Sequence, residues 1–307
     1  MSDGDRNNEE GDGTNSSLLY RLRNILGRKK KKKQRIGGIG LALGGGGAKG
    51  LAHIPVLELM DDMNIRPACI AGTSIGAVIG ALYASGMPGA GIRRLVDDTV
   101  VKKGDSPDEV LKNIKKIIRF MDVDFLGSGI FKGDSFMDYF YDAIETDSFN
   151  ELEVTLKVVA TDFWRSEQVV LSSGDLLKAV KASMGLPGVF TPVEIDDRVL
   201  IDGGGVNPVP WDVLEKCGTT VAVDVLGRSE RKTDKSPRAA RAVMEMFDIM
   251  QRTIVREKMD HSRPDIYIRP DIRGVGILEF HRAEEIYDFA APAVEELRKK
   301  LEELDLP

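Results

Sequence analysis

Apolar positions in the first third of the ordered-looking sequence fall into short unbroken runs joined by glycine-rich turns and by stretches of helical period. The run Ile36-Gly37-Gly38-Ile39-Gly40-Leu41-Ala42-Leu43 predicts a strand, and His53 to Met63 has helical period through Ile54, Leu57 and Met60. Pro67-Ala68-Cys69-Ile70-Ala71 predicts a second strand, and Ala77 to Ala84 is small and apolar enough for a helix lying close on a sheet. Unbroken rather than alternating apolar runs suit strands covered on both faces. The order strand, turn, helix, strand, turn, helix therefore predicts a parallel sheet layered by helices. From Pro67 to Ile92 there is no charge, and a hydropathy window would take the stretch for a membrane span. Its glycines, Thr73, Ser74, Ser85 and Pro88 favour a buried strand, turn and helix instead.

The pattern changes after Arg93. Ser106-Pro107-Asp108-Glu109 is a helix start, with proline at the first helical position, and Val110, Leu111, Ile114, Ile117 and Ile118 give that helix an apolar face. Phe136, Tyr139, Phe140 and Ile144 form an aromatic-rich stripe at helical spacing. The residues between Leu111 and Phe140 are candidates for an acyl groove, against the plainer expectation of core or surface layer. Val154 to Asp162 and Gln168 to Leu171 predict a hairpin, Gly174 to Met184 a helix, and Val193 to Ile201 a second hairpin around Asp196-Asp197. Val221 to Val225 is a short buried strand, Arg238 to Lys258 a long helix, Asp265 to Ile268 a last strand and Ala283 to Leu304 a closing helix. No internal repeat and no linker interrupts residues 36–307, which are expected to form one domain.

Upstream the character differs. Residues 1–17 are acidic and rich in Asn, Gly and Ser, a composition expected to stay disordered. Leu18, Leu22, Ile25 and Leu26 then mark one face of a short helix that feeds Arg28-Lys29-Lys30-Lys31-Lys32-Lys33-Gln34-Arg35. Residues 18–35 fit a peripheral attachment to an anionic membrane, at about 1 kcal/mol per basic residue near the surface, and equally a solvated linker.

Composition narrows the function classes. Hydrophobic residues make 42% and charged residues 30% of 307, as in ordinary globular proteins. The net charge of −6 argues against nucleic-acid binding by the surface at large. Cys69 and Cys217 lie in apolar contexts without metal-ligand spacing, and no apolar signal peptide follows Met1. A cytoplasmic setting with free thiols, on or near the membrane face, is expected.

Three constellations carry candidate chemistry. Gly72-Thr73-Ser74-Ile75-Gly76 fits G-x-S-x-G between a strand and a helix, the setting of a serine on a nucleophile elbow. Gly44-Gly45-Gly46-Gly47-Ala48-Lys49-Gly50 also satisfies G-x-G-x-x-G in the place of a dinucleotide loop. A nucleotide site further requires an acid at the end of the second strand, where this chain has Ala71-Gly72-Thr73-Ser74. The alternative is an oxyanion hole from the N–H groups of Gly45, Gly46 or Gly47 with that of Ile75. The base for the serine is expected to be Asp202, which ends an apolar strand and precedes Gly203-Gly204. By itself, Asp-Gly-Gly would be an ordinary turn. The histidines are His53, His261 and His281. His53 is expected to pack near the glycine loop and the other two to lie on the surface, although a Ser–Asp–His triad remains formally open.

Taken in order, Gly45-Gly46-Gly47-Ala48-Lys49-Gly50, Gly72-Thr73-Ser74-Ile75-Gly76 and Asp202-Gly203-Gly204 resemble the three signatures of patatin-like phospholipases. Gly129 to Asp134, Ala160-Thr161-Asp162 and Ala182 to Phe190 add to the resemblance, which runs from about Ile36 to Gly227. It implies a three-layer α/β/α fold with a mostly parallel central sheet and a Ser74–Asp202 dyad rather than a triad. It also implies hydrolysis of acyl-ester lipids, phospholipids among them, with no metal or cofactor. Lys49 stands at the family's basic position; Gly50, Gly72, Gly76, Gly203 and Gly204 complete the motifs. A thioesterase or protein deacylase would use the same groups, and a non-catalytic nucleotide- or lipid-binding module is the rival from another class.

Overall fold

The computed structural model describes residues 37–99, 143, 146–214, 217–228 and 239–304. The expectations for residues 1–35, for the helix begun at Ser106, for Gly129 to Asp134 and for the stripe from Phe136 to Ile144 lie outside them. The described fold falls within one compact unit, Arg35–Pro307.

Its centre is a mixed, mostly parallel sheet. Strands β1 (Ile39–Leu43), β2 (Cys69–Thr73), β3 (Thr155–Asp162), β7 (Thr219–Val223) and β8 (Ile266–Ile268) run parallel in the order β3-β2-β1-β7-β8. Strands β4 (Glu167–Leu171), β5 (Val193–Ile195) and β6 (Arg198–Asp202) form the antiparallel part. β1 starts at Ile39, three residues later than its apolar run suggests, because Gly37 and Gly38 are exposed and Gly38 has a φ of 104°.

Both faces of the sheet are covered, as the unbroken runs require. On one face Ile39, Leu41 and Leu43 pack under helices α1 (His53–Asp62), α2 (Ile75–Ala84) and α6 (Ala283–Glu302). On the other, Ala42, Cys69, Ala71 and Ala222 meet the turn at Trp211–Leu214 and helix α5 (Ala239–His261). Helix α2 is buried at every residue, which a purely apolar decapeptide needs. Helix α3 (Gly89–Thr99) lies outside α1 and α2, and helix α4 (Leu176–Ser183) packs on β3 and β6. Among the described residues no helix is long and apolar enough to cross a membrane.

One expectation is corrected. Cys69 and Cys217 are not free thiols but a disulfide joining positions 148 residues apart. Cys69 opens β2 and Cys217 precedes β7, strands that flank β1 on opposite sides. The two sulfurs meet across β1 because Gly40, opposite Cys69, has no side chain; a Cβ there would lie 2.8 Å from Cys217 Cβ. That coincidence of strand order and a missing side chain has no signature in cysteine spacing.

Candidate active site

All three motifs lie at the carboxyl edge of the parallel strands. β1 ends in the glycine turn and β2 ends in the elbow, side by side through the pairs Gly40–Cys69 to Leu43–Gly72. Ser74 has φ 54° and ψ −126°, a region disfavoured for a side-chain-bearing residue, and α2 begins directly after it. A Cβ on Gly76 would lie 2.2 Å from Leu43 O, so the elbow sits this close to β1 only because residue 76 is glycine. The 3-10 turn that follows the glycine loop, Gly47–Ala52, brings Gly50 against Ile75 and Gly72 lies under Ala77.

Asp202 arrives from the other direction. β3 pairs with β2 up to Val159, opposite Thr73, and its next residue, Ala160, pairs with Asp202 at the end of antiparallel β6. β4 occupies the other edge of β3 over the same residues, so β2 and β6 meet end to end on one edge. Ser74 Oγ–H donates to Asp202 Oδ2 at 2.7 Å. Asp202 is 3% exposed; its Oδ1 accepts Gly204 N–H at 2.7 Å and its carbonyl accepts Thr161 Oγ1–H at 2.7 Å. Gly203 touches the backbone of β3, where a Cβ would come within 2.2 Å of Val159 O. Burial pushes the Asp202 carboxyl up to about 6, with the hydrogen bonds from Ser74 and Gly204 opposing the shift.

Downstream of Gly203-Gly204 the chain crosses the ends of β2 and β1. Asn207 O accepts Thr73 Oγ1–H at 2.8 Å, and Pro208 O accepts Gly45 N–H at 2.9 Å. The expectation for Gly45 as an oxyanion donor is thereby amended, since its N–H is engaged by Pro208. Gly44 N–H goes to Val223 O and Ala48 N–H to Ile277 O. Gly46 and Gly47 have no such N–H partner among the described residues, and Gly47 and Ile75 begin helical turns, where the first N–H groups lack intrahelical acceptors.

Lys49 is buried, not directed to solvent: its Nζ donates to Leu226 O at 2.9 Å and to Asp248 Oδ2 of α5 at 3.0 Å. His53 is fully buried and its Nε2–H donates to Gly44 O at 2.8 Å, with burial lowering its pKa to about 4. His261, the last residue of α5, and His281 are exposed, and neither is a hydrogen-bond partner of Ser74. Among the described residues no group of three or more His, Cys, Asp or Glu side chains could hold a metal ion.

Sequence reasoning missed four contributors. Ser183, in the Ala182–Phe190 stretch, accepts Ser74 N–H at 2.8 Å and donates to Val159 O at 2.6 Å, so one buried hydroxyl ties the elbow to β3. Asn207 and Pro208 latch the first two motifs, and Lys258 of α5 secures that latch by donating to Asn207 Oδ1 at 2.6 Å and Val209 O at 2.8 Å. The only sequence cue was proximity to motifs, since each acts through a partner more than 50 residues away.

A family model described as patatin-like phospholipase matches residues 41–215. A protein of Mycobacterium bovis described as an uncharacterized NTE family protein is 32% identical over 191 residues, covering 62% of this chain and 49% of that protein. Patatin-like phospholipase domain-containing protein 6 of Homo sapiens is 29% identical over 279 residues, covering 81% of this chain and 19% of that protein. The chain thus spans about half the length of the mycobacterial relative and a fifth of the human one. The crystal structure of VipD from Legionella pneumophila superposes with a TM-score of 0.44 at 15% identity, across 90% of this chain and 73% of that one.

Proposed function

The chain belongs to the patatin-like phospholipase family, and from that premise we propose that it hydrolyses acyl-ester lipids, with Ser74 as nucleophile and Asp202 as its base. The observation that carries the proposal is the 2.7 Å contact from Ser74 Oγ to a buried carboxylate that has no histidine between. A carboxylate in water, near 4, would be a feeble base; one raised to about 6 and in direct contact with the hydroxyl is better matched.

In this scheme a substrate carbonyl sits over Ser74 with its oxygen toward the N–H groups of Gly46, Gly47 and Ile75. Asp202 takes the Oγ proton as Oγ bonds to the carbonyl carbon, and the charge that develops on oxygen meets two helix starts whose potential is positive. Protonated Asp202 gives that proton to the leaving alcohol, which departs and leaves an acyl-Ser74 ester. Water then attacks the acyl carbon, Asp202 accepts its proton, and collapse of the second intermediate returns the proton to Ser74 and releases the fatty acid. Ser74 N–H, held by Ser183, is not a donor in this hole.

A fluorophosphonate probe tests the assignment: it should label the wild type, fail on Ser74→Ala and label Asp202→Asn far more slowly. Equal labelling of wild type and Ser74→Ala would overturn it. Loss of turnover in a His261 or His281 variant, with Asp202→Asn active, would put a triad in place of the dyad.

A further inference from the structure

Helix α5 has two faces with different work. Its inner side holds the catalytic edge together: Asp248 takes the Lys49 ammonium behind the glycine loop, Gln251 lies against Gly204, and Lys258 grips the Asn207–Val209 latch. Over Ala242–Met250 its outer side is apolar and exposed among the described residues, while beyond Met250 the same side carries Thr253, Arg256, Glu257 and Asp260. From Ala242 to Met250 no residue is buried, and Val243, Met246, Ile249 and Met250 are exposed. Both acids in that stretch hold ion pairs, Glu245 with Arg252 at 3.3 Å and Asp248 with Lys49 at 3.0 Å. A helix apolar on most sides is ordinarily covered, and a large exposed apolar patch marks a place of interaction.

Three further exposed apolar side chains lie near the ends of the parallel strands. Phe163 and Trp164 form the tip just beyond the carboxyl end of β3, their rings edge to face with centroids 4.8 Å apart, and Trp164 is 77% exposed. Leu278 is exposed beside Ile277, whose carbonyl receives Ala48 N–H at the glycine loop. Phe163–Trp164 and Leu278 thus border the ends of β3 and β1, on either side of the β2 end that leads to Ser74.

We propose that this edge docks on the lipid surface that holds the substrate, with the exposed Val243–Met250 part of α5 and the Phe163–Trp164 tip entering the interfacial layer. The occupant follows from continuity with the proposed site, and in that respect the inference rests on the lipid-hydrolase reading. It follows also from side-chain chemistry. Methionine, isoleucine and valine are compliant apolar groups suited to acyl chains, and an indole at an exposed tip suits the headgroup level. The two parts are carried by separate elements along a sheet edge, which fits a broad plane better than a single peptide groove.

Flotation of the full chain with phosphatidylcholine vesicles tests this at about 1 M salt, where a Debye length of about 3 Å silences charge attraction. The wild type and Ser74→Ala should float alike. Met246→Asp/Ile249→Asp should lower vesicle partition about tenfold or more, and should lower the ratio of turnover on vesicles to turnover on a soluble short-chain ester to match. Because the other tryptophan, Trp211, is buried, brominated lipid should quench Trp164 of the wild type and have little effect on Trp164→Phe. This second readout needs no destabilising charge.

The docking proposal fails if the double variant floats as well as the wild type, if bound wild type shows no Trp164 quenching, or if removing residues 1–35 abolishes flotation. It also fails if the wild type does not float and the double substitution instead dissolves a dimer, which would make the patch a contact between copies. Flotation and quenching by a protein that turns over neither ester would leave the docking face standing and sink the hydrolase reading.

Discussion

Ser74 and Asp202 come to one point on β3 from opposite directions, and they are held by different means. Ser74 sits in a local device: a five-residue turn between adjacent elements, a positive φ, and glycines that let the turn lie against β1. Asp202 is placed by tertiary pairing, at the last register position of a short antiparallel strand that takes over the edge of β3 where β2 stops, and its carboxylate has one local contact, from Gly204 N–H. The geometry of Ser74 is thus written within one strand–turn–helix unit. The position of Asp202 depends on residues 155–162 serving both arms, and Ser183 and Thr161 fasten each arm to that strand. The arrangement teaches that loss of either arm should be equally damaging to catalysis but should differ in stability.

The largest expected effect tests the catalytic half of that contrast. Ser74→Ala and Asp202→Asn should each lower kcat/KM by about 10³-fold or more, as removal of a nucleophile or its base does. In the wild type, kcat/KM should rise with pH through about 6 and then level, because Asp202 must be ionised to accept the proton. A flat profile across pH 5–7 would count against Asp202 as the base.

Next in size is the disulfide, which fastens the strands on either side of β1 without touching the dyad. Cys217→Ala should lower stability by about 3–5 kcal/mol, seen in chemical denaturation under non-reducing conditions. Thiol titration of the unfolded, unreduced wild type should find none free; two titratable thiols would disprove the bridge.

The two arms should then separate by pH. The folded-state pKa of Asp202 is raised from 3.8 to about 6, so the native state holds the proton more tightly and this group's contribution declines as pH rises from about 4 to 6. Asp202→Asn should therefore gain stability over the wild type across that window, by up to about 3 kcal/mol at about 1.36 kcal/mol per pH unit. His53 acts in the opposite sense: its folded pKa is lowered from 6.5 to about 4, so its contribution is present above 6.5 and lost on acidification toward 4. Urea melts of both proteins at several pH values check the difference, and a gap that does not widen with pH would refute the shift.

The smallest effect sharpens the comparison most. Ser183→Ala should lower kcat about tenfold with KM little changed, since one hydrogen bond of about 1.4 kcal/mol orients the elbow. Ser183→Thr, which keeps the hydroxyl, should recover part of that loss. A proportionate rise in KM would instead assign Ser183 to substrate binding.

Much of the fold is legible in the sequence. Period and turn chemistry marked the described strands and, apart from α3 (Gly89–Thr99), the described helices to within a few residues, because apolar runs covered on both faces cannot alternate and because the glycine turns are local. The overreach at Ile36 came from counting Gly37 and Gly38 as strand, where backbone freedom made them a bend. Asp202 was legible only as a strand end before two glycines. The free-thiol expectation failed because spacing along the chain says nothing about two strands that flank a third. Gly45 was misjudged as a donor because its N–H is claimed by Pro208, 163 residues further on.

The sequence alone determined the element order, the elbow, the glycine loop and the chemical identity of the groups at the carboxyl edge. These are decided within a few residues by period, by glycine and by charge. Only the tertiary structure decided which groups meet: Ser74 with Asp202 on β3, Lys49 with Asp248 and Cys69 with Cys217. It also decided that the Gly45 N–H is taken by Pro208 and which apolar residues of α5 are exposed among the described residues. Those are matters of strand order and register, where a shift of one residue turns a side chain to the other face of the sheet.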